Sequence, residues 1–173
     1  MEVLKVIRQN DVEPGYASAE PAEYKKRFAA RAVLKDAAGR IALLHAAQRN
    51  YYKLPGGGVE EGEDMALALA RELLEEVGAV AEVTGEIGRV EEWRAYGDGL
   101  HQVSDAYTAV VTGAIGEPDF TESELAEGFS VVWAKDVDEA IELVLSAEAN
   151  ADAGVKFMTT RDSAILYRAK ELQ

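Results

Sequence analysis

Apolar and polar positions along this chain alternate between two periods. Val3 to Ile7 reads as a short strand, and a polar stretch with Pro14, Gly15 and Pro21 follows as a loop. Arg27 to Leu34 and Ile41 to Leu44 form strand-like runs about the turn Lys35-Asp36-Ala37-Ala38-Gly39-Arg40, which predicts a hairpin. Ala81-Glu82-Val83, Ile87 to Trp93, Val103 to Val111 and Phe129 to Trp133 predict further strands, with a turn at Asp98-Gly99. Helical periodicity appears three times. Met65 to Val77 is rich in Ala, Leu and Glu and stops at Gly78. Asp136 to Ala149 carries a stripe of Val137, Ala140, Ile141, Val144 and Leu145, and Phe157 to Leu172 carries Phe157, Ile165 and Leu166. Strands, a helix, more strands and then helices, without a regular alternation, predict a mixed sheet covered by helices on both faces.

The helix over 65–77 holds the densest chemistry. At about 100° per residue, Glu72, Glu75 and Glu76 share one arc, while Ala66, Leu67, Ala70, Leu73, Leu74 and Val77 are expected to face the core. Like charges at such spacings cost roughly 0.2–0.5 kcal/mol per pair. Only Arg71 and Lys53 are basic in or beside the stretch. A solvated acidic face is the simpler account of an isolated Glu-x-x-Glu-Glu, but a hard divalent cation such as Mg²⁺ or Mn²⁺ would also explain the crowding, since it prefers oxygen ligands.

The spacing extends outward from the helix. Leu54-Pro55-Gly56-Gly57-Gly58 precedes it, Glu63 stands between, and Arg71-Glu72-Leu73-Leu74-Glu75-Glu76-Val77-Gly78 closes the motif. Over residues 57–79 this resembles the Nudix box, the signature of the Nudix (MutT-like) hydrolase family, at every charged and glycine position. Ala79, where a bulkier aliphatic residue is usual, is the one departure. The resemblance implies an α/β/α sandwich, one domain over 1–173, and metal-assisted attack of water on a nucleoside diphosphate linkage. It also implies Glu75 and Glu76 as metal ligands, with Glu72 either a further ligand or the proton acceptor. The Gly56 carbonyl would be an additional ligand, and Arg71 would orient a glutamate. Glu63, near the helix start, is expected to be structural.

The resemblance further implies an acid from outside the box. Glu124, in Thr121-Glu122-Ser123-Glu124 of an acidic loop over 119–128, is preferred; one of Glu91 and Glu92, which a strand points to opposite faces, is the other source. Gly57, Gly58, Tyr52 and Arg49 are the candidates for substrate contact. Tyr51, Tyr52 and Trp93 could stack on a base, although packing is the simpler role. Arg27, Arg31, Arg49 and Lys53 could meet phosphates, against a default of surface charge. His45 is expected to be packed or hydrogen-bonded, and His101 to be exposed near a turn.

Composition narrows the partners. The 173 residues carry a formal net charge of −14 and no cysteine, which disfavours a nucleic-acid polymer and excludes thiolate chemistry. No apolar run approaches the roughly 20 residues of a membrane span, and the N-terminus lacks a secretory pattern, so the expectation is a cytoplasmic protein without a membrane partner. An acidic protein acting on an acidic molecule needs cations to reverse the local sign. The expected substrate is a small nucleotide. A nucleoside triphosphate is preferred, with an oxidised one such as 8-oxo-dGTP in view, and ADP-ribose or another nucleotide sugar is the alternative. A non-catalytic nucleotide-binding module is disfavoured because all three glutamates are present. A homodimer is compatible with the sequence.

Overall fold

A computed structural model describes residues 1–17, 21–147 and 151–173 of the chain. Its strands are β1 (Val3–Arg8), β2 (Lys25–Lys35), β3 (Ile41–Ala46), β4 (Tyr51–Lys53), β5 (Ala81–Arg94), β6 (Leu100–Val111) and β7 (Phe129–Ala134). Its helices are α1 (Gln9–Val12), α2 (Met65–Val77), α3 (Glu122–Ala126), α4 (Val137–Leu145) and α5 (Ala153–Glu171). The strands form one mixed sheet in the order β1-β5-β6-β2-β3-β4, with β7 also paired to β3. β1 runs parallel to β5 and β2 parallel to β6, whereas β5–β6, β3–β4 and β3–β7 are antiparallel.

Alternation along β2 separates the layers. Ala30, Ala32 and Leu34 pack with Leu69, Leu73 and Val77 of α2 on one face. Val33 joins the opposite cluster, where α4 and α5 contribute Ile141, Val144, Phe157, Ile165 and Leu166. The result is the expected α/β/α sandwich. Among the described residues no helix is long and apolar enough to cross a membrane.

Several expectations change. The predicted hairpin makes its turn, with the Asp36 carboxylate accepting from the Ala38 and Arg40 N–H groups, but β2 and β3 are in register only at Lys35 and Ile41. Beyond that pair the edge of β2 is taken by the glycine loop: Ala32 N–H donates to the Pro55 carbonyl, Ala30 N–H to Gly57, and Val59 N–H to Phe28. The runs 81–83 and 87–93 are one strand, β5, with register shifts between Val83 and Gly85 and between Glu86 and Gly88. The N-terminal loop contains α1, and the acidic loop contains α3, capped at Thr121. Residues 18–20 of the first loop and 148–149 of the helix predicted over 136–149 lie outside the described residues; α4 ends at Leu145, which is exposed.

The helix wheel of α2 also needs correction. Ala66, Leu67, Ala70 and Leu74 are exposed, and the buried positions are Ala68, Leu69, Leu73, Glu76 and Val77. Apolar residues fill most of this helix, so its face is set by where the glycine loop places Glu76, not by the apolar count. Its ends match the reading: Asp64 caps the start by accepting from Leu67 N–H, and Gly78 ends it in the left-handed region at φ 70°.

Candidate active site

α2 and the glycine loop meet at three points, two of them hydrogen-bonded. The Glu76 carboxylate, 3% exposed, accepts from the Gly56 N–H at 2.6 Å and from Lys53 Nζ at 3.0 Å. Arg71 donates to the Gly58 carbonyl at 3.0 Å, to Glu63 at 2.8 and 3.0 Å, to Glu72 at 2.9 Å and to Glu75 at 3.2 Å. The two Arg71–Glu63 bonds hold the Glu63 carboxyl far below its usual range, at about 2, with the Glu60 N–H assisting. The third contact is steric. A side chain on Gly57 would collide with the Glu72 carboxylate, which lies directly against that backbone.

Each loop glycine therefore has its own neighbour. A Cβ on Gly56, at φ 123°, would strike the Ala30 carbonyl oxygen; one on Gly58 would crowd the Arg27 guanidinium.

Glu72, Glu75 and Glu76 line one cavity of about 500 Å³, joined by Glu60, Asp119 and Glu124 and by a single cation, Arg71. Burial, and then the neighbouring Glu76, push the Glu72 carboxyl above its ordinary value. As the side chains stand, no three acidic groups among the described residues converge closely enough to hold an ion. Lys53 holds the Glu76 carboxylate on one side, while one terminal nitrogen of Arg71 takes both Glu72 and Glu75. The donor set nevertheless fits a hard divalent cation, since it consists of carboxylate oxygens beside an open glycine backbone. Hydrogen-bonded carboxylates can exchange an ammonium or guanidinium partner for such an ion by rotamer changes.

A second cavity of about 300 Å³ adjoins the first, and Glu72, Glu76 and Glu124 line both. Its other charged residues are Arg27, Arg31, Lys53, Arg94 and Arg161. Beneath it runs a buried network. Arg161, 1% exposed, pairs with Asp162 at 2.7 Å and with Glu92 at 3.5 Å. Glu92 also accepts from Arg94 at 2.6 Å and from Gln102 at 2.7 Å, and the Gln102 carbonyl accepts from Arg27 at 2.9 Å. Asp162 in turn accepts from the Leu54 N–H, at the start of the glycine loop. Burial pushes the Glu92 carboxyl up, but Arg161 and Arg94 outweigh it and hold that carboxyl below its ordinary range.

With this geometry in place, residues 25–151 match the NUDIX domain. The chain belongs to the Nudix family. A stretch of 66 residues is 35% identical to an RNA pyrophosphohydrolase of Dinoroseobacter shibae, covering 37% of this chain and 41% of that protein, so the chain spans about two fifths of the curated relative it matches. Among solved structures, a NUDIX hydrolase from Nitrosomonas europaea superposes with a TM-score of 0.59 at 19% identity, over 84% of this chain and 90% of the other. The NUDIX domain of Shewanella oneidensis NrtR complexed with ADP ribose gives 0.57 at 17% identity, over 92% of each chain. β1 and α5 lie outside the matched 25–151, yet β1 extends the sheet and α5 supplies Arg161 to the second cavity.

Set against this Nudix frame, the candidates divide. Gly56, Gly57, Gly58, Arg71, Glu72, Glu75, Glu76 and Glu124 all line one or both cavities. Arg49 lies elsewhere, donating to Glu127 and Asp152, and Tyr52 stacks on His45 with ring centroids 4.4 Å apart. His45 is packed as expected and hydrogen-bonds Asn50. His101 is not exposed at a turn: it lies on β6, stacked on Trp93 and paired with Glu91. Tyr51 is buried in a small apolar cluster. Glu60, Asp119, Arg94 and Arg161 were not anticipated as site residues. One sequence signal pointed at Arg161: it interrupts the apolar stripe Phe157–Ile165 of α5, at four residues from each.

Proposed function

We propose that the chain is a divalent-metal-dependent pyrophosphohydrolase that cleaves the diphosphate linkage of a small nucleotide. The observation that carries this reading is the acidic cavity, where six carboxylates face one guanidinium. Such a cavity repels a phosphate ester unless cations enter with it. Glu72, Glu75 and Glu76 would hold Mg²⁺, with Mn²⁺ a substitute and the Gly56 carbonyl a further oxygen. When bound, the ion neutralises pyrophosphate charge and lowers the pKa of a water.

The chain's own residues do the remaining work. The Gly56–Glu76 bond and the Glu72 carboxylate seated on Gly57 fix two carboxylates against a rigid loop. Arg71 ties that loop to α2, so the acidic wall and the loop keep one spacing. Glu124, held by the Thr121 N–H and hydroxyl and lining both cavities, accepts the proton of the attacking water. No covalent nucleophile is needed, because phosphoryl transfer depends on positioning and charge stabilisation. The matched stretch of an RNA pyrophosphohydrolase supports the diphosphate linkage as the point of attack. EDTA should abolish turnover of a nucleotide panel, and Mg²⁺ or Mn²⁺ should restore it; turnover that persists in EDTA overturns the reading.

A further inference from the structure

The second cavity carries an observation that the acidic one does not explain. Arg31 lies on β2 with 6% of its surface exposed, and its Nε and one terminal nitrogen are buried without a hydrogen-bond partner. The Nε of Arg94, which lines the same cavity, is likewise unpaired. Arg161, beside them, is committed to Asp162 and Glu92. Burial and the nearby Arg161 charge depress the Arg31 guanidinium to about 10. A buried, unpaired guanidinium is costly to a fold and invites a partner.

The charge of the free donors says what partner. A guanidinium is permanently cationic and carries only N–H donors, which suit an oxyanion. A ligand seated here also meets Glu72, Glu76 and Glu124, which open onto the acidic cavity. It must therefore be anionic at one end and bring cations to the other, as a polyphosphate does. A nucleotide capped by a neutral sugar would leave Arg31 buried and unpaired, and a site with unpaired buried donors discriminates strongly against such a ligand. Net charge −14 disfavours a nucleic-acid polymer as the source of the phosphate. α5, beyond the family-matched stretch, closes the cavity with Met158 and Arg161.

We propose that the cavity formed by Arg31 with Arg27, Arg94 and Arg161 is an anion subsite that takes the terminal phosphate of a nucleoside triphosphate and selects it over nucleotide sugars. This deepens the proposed function and rests on it only for the word substrate. The test is calorimetric titration of inorganic phosphate, which fills the basic cavity alone, into the whole EDTA-treated protein at low salt. Arg31→Met should weaken binding at least tenfold while leaving Tm unchanged or higher, because an unpaired buried charge has been removed. Binding within twofold of the wild type, or no binding by the wild type, overturns the subsite. If Arg31→Met lowers Tm, Arg31→Lys decides: an intermediate affinity supports the subsite and an unchanged one overturns it. With Mg²⁺ added, Arg31→Met should raise KM for dGTP at least tenfold and leave KM for ADP-ribose within twofold; equal rises overturn the selectivity. Absence of metal-dependent turnover would sink the proposed function and leave the titration intact.

Discussion

The two cavities share three carboxylates and differ in nearly everything else. One is lined by six acids and a single arginine, the other by five basic residues and only the shared glutamates. Their construction differs too. The acidic side comes mainly from one helix and its adjoining loop, Glu60, Glu72, Glu75 and Glu76, completed by Asp119 of a second loop and Glu124 of α3. The basic side collects one or two residues each from β2, β4, β5 and α5. Under the proposed function, juxtaposed fields of opposite sign would let one polyanion be held by guanidiniums at one end and by cations on carboxylates at the other. Transition-state charge should thus be handled on the acidic side and ground-state affinity on the basic side.

The largest effect should come from the shared wall. Glu76→Gln should lower kcat by about 10³-fold, several kcal/mol of lost charge stabilisation. Because Lys53 and the Gly56 N–H both bond this buried carboxylate, a modest Tm loss should accompany it. Near-normal kcat would remove Glu76 from the proposed metal site. On the basic side, Arg27→Met should raise KM about tenfold with kcat little changed, since one charge-assisted contact amounts to about 1.5 kcal/mol. A kcat loss matching that of Glu76→Gln would erase the division between the cavities.

The same contrast governs what the sequence could disclose. The acidic half was legible because helical spacing and a glycine stop fix three glutamates on one arc, whatever the rest of the chain does. Glu60 and Asp119 escaped because they lie in irregular segments without a period. The basic half spans residues 27 to 161, and only the pairing of β2 with β6 and β5 with β6, with α5 laid across, brings its members together. Arg31 could be suspected because it breaks the apolar run Phe28 to Leu34, but the sequence does not say what would face it. The hairpin is short for a related reason: the turn chemistry at Asp36 is local and forms, while the glycine loop takes the edge of β2 beyond Lys35 and Ile41.

Adjacent glycines sharpen the comparison between site and scaffold. Gly56→Ala meets the Ala30 carbonyl at a positive φ, so it should destabilise the fold by about 2 kcal/mol or more. Gly57→Ala meets only the movable end of Glu72. It should fold nearly as well as the wild type yet lose activity, because the carboxylate is displaced. Chemical denaturation with kinetics separates them; a Gly57→Ala enzyme of full activity would show that Glu72 need not sit on that backbone.

The smallest effect belongs to the tie between loop and helix. The Glu63 carboxyl titrates at about 2 in the fold against an ordinary 4.5, held down first by its bonds to Arg71 and then by the Glu60 N–H. A depressed carboxyl stabilises the folded state above its unfolded pKa, and that contribution fades as pH falls from about 4.5 towards 2. Glu63 is solvent-accessible, so Glu63→Gln should cost only roughly 2 °C of Tm at pH 7. That gap should narrow as the melts are repeated from pH 5 to pH 3. A gap that stays constant over this range would mean that Arg71 is positioned by Glu72, Glu75 and the Gly58 carbonyl, and that the Glu63 carboxylate is not part of the tie.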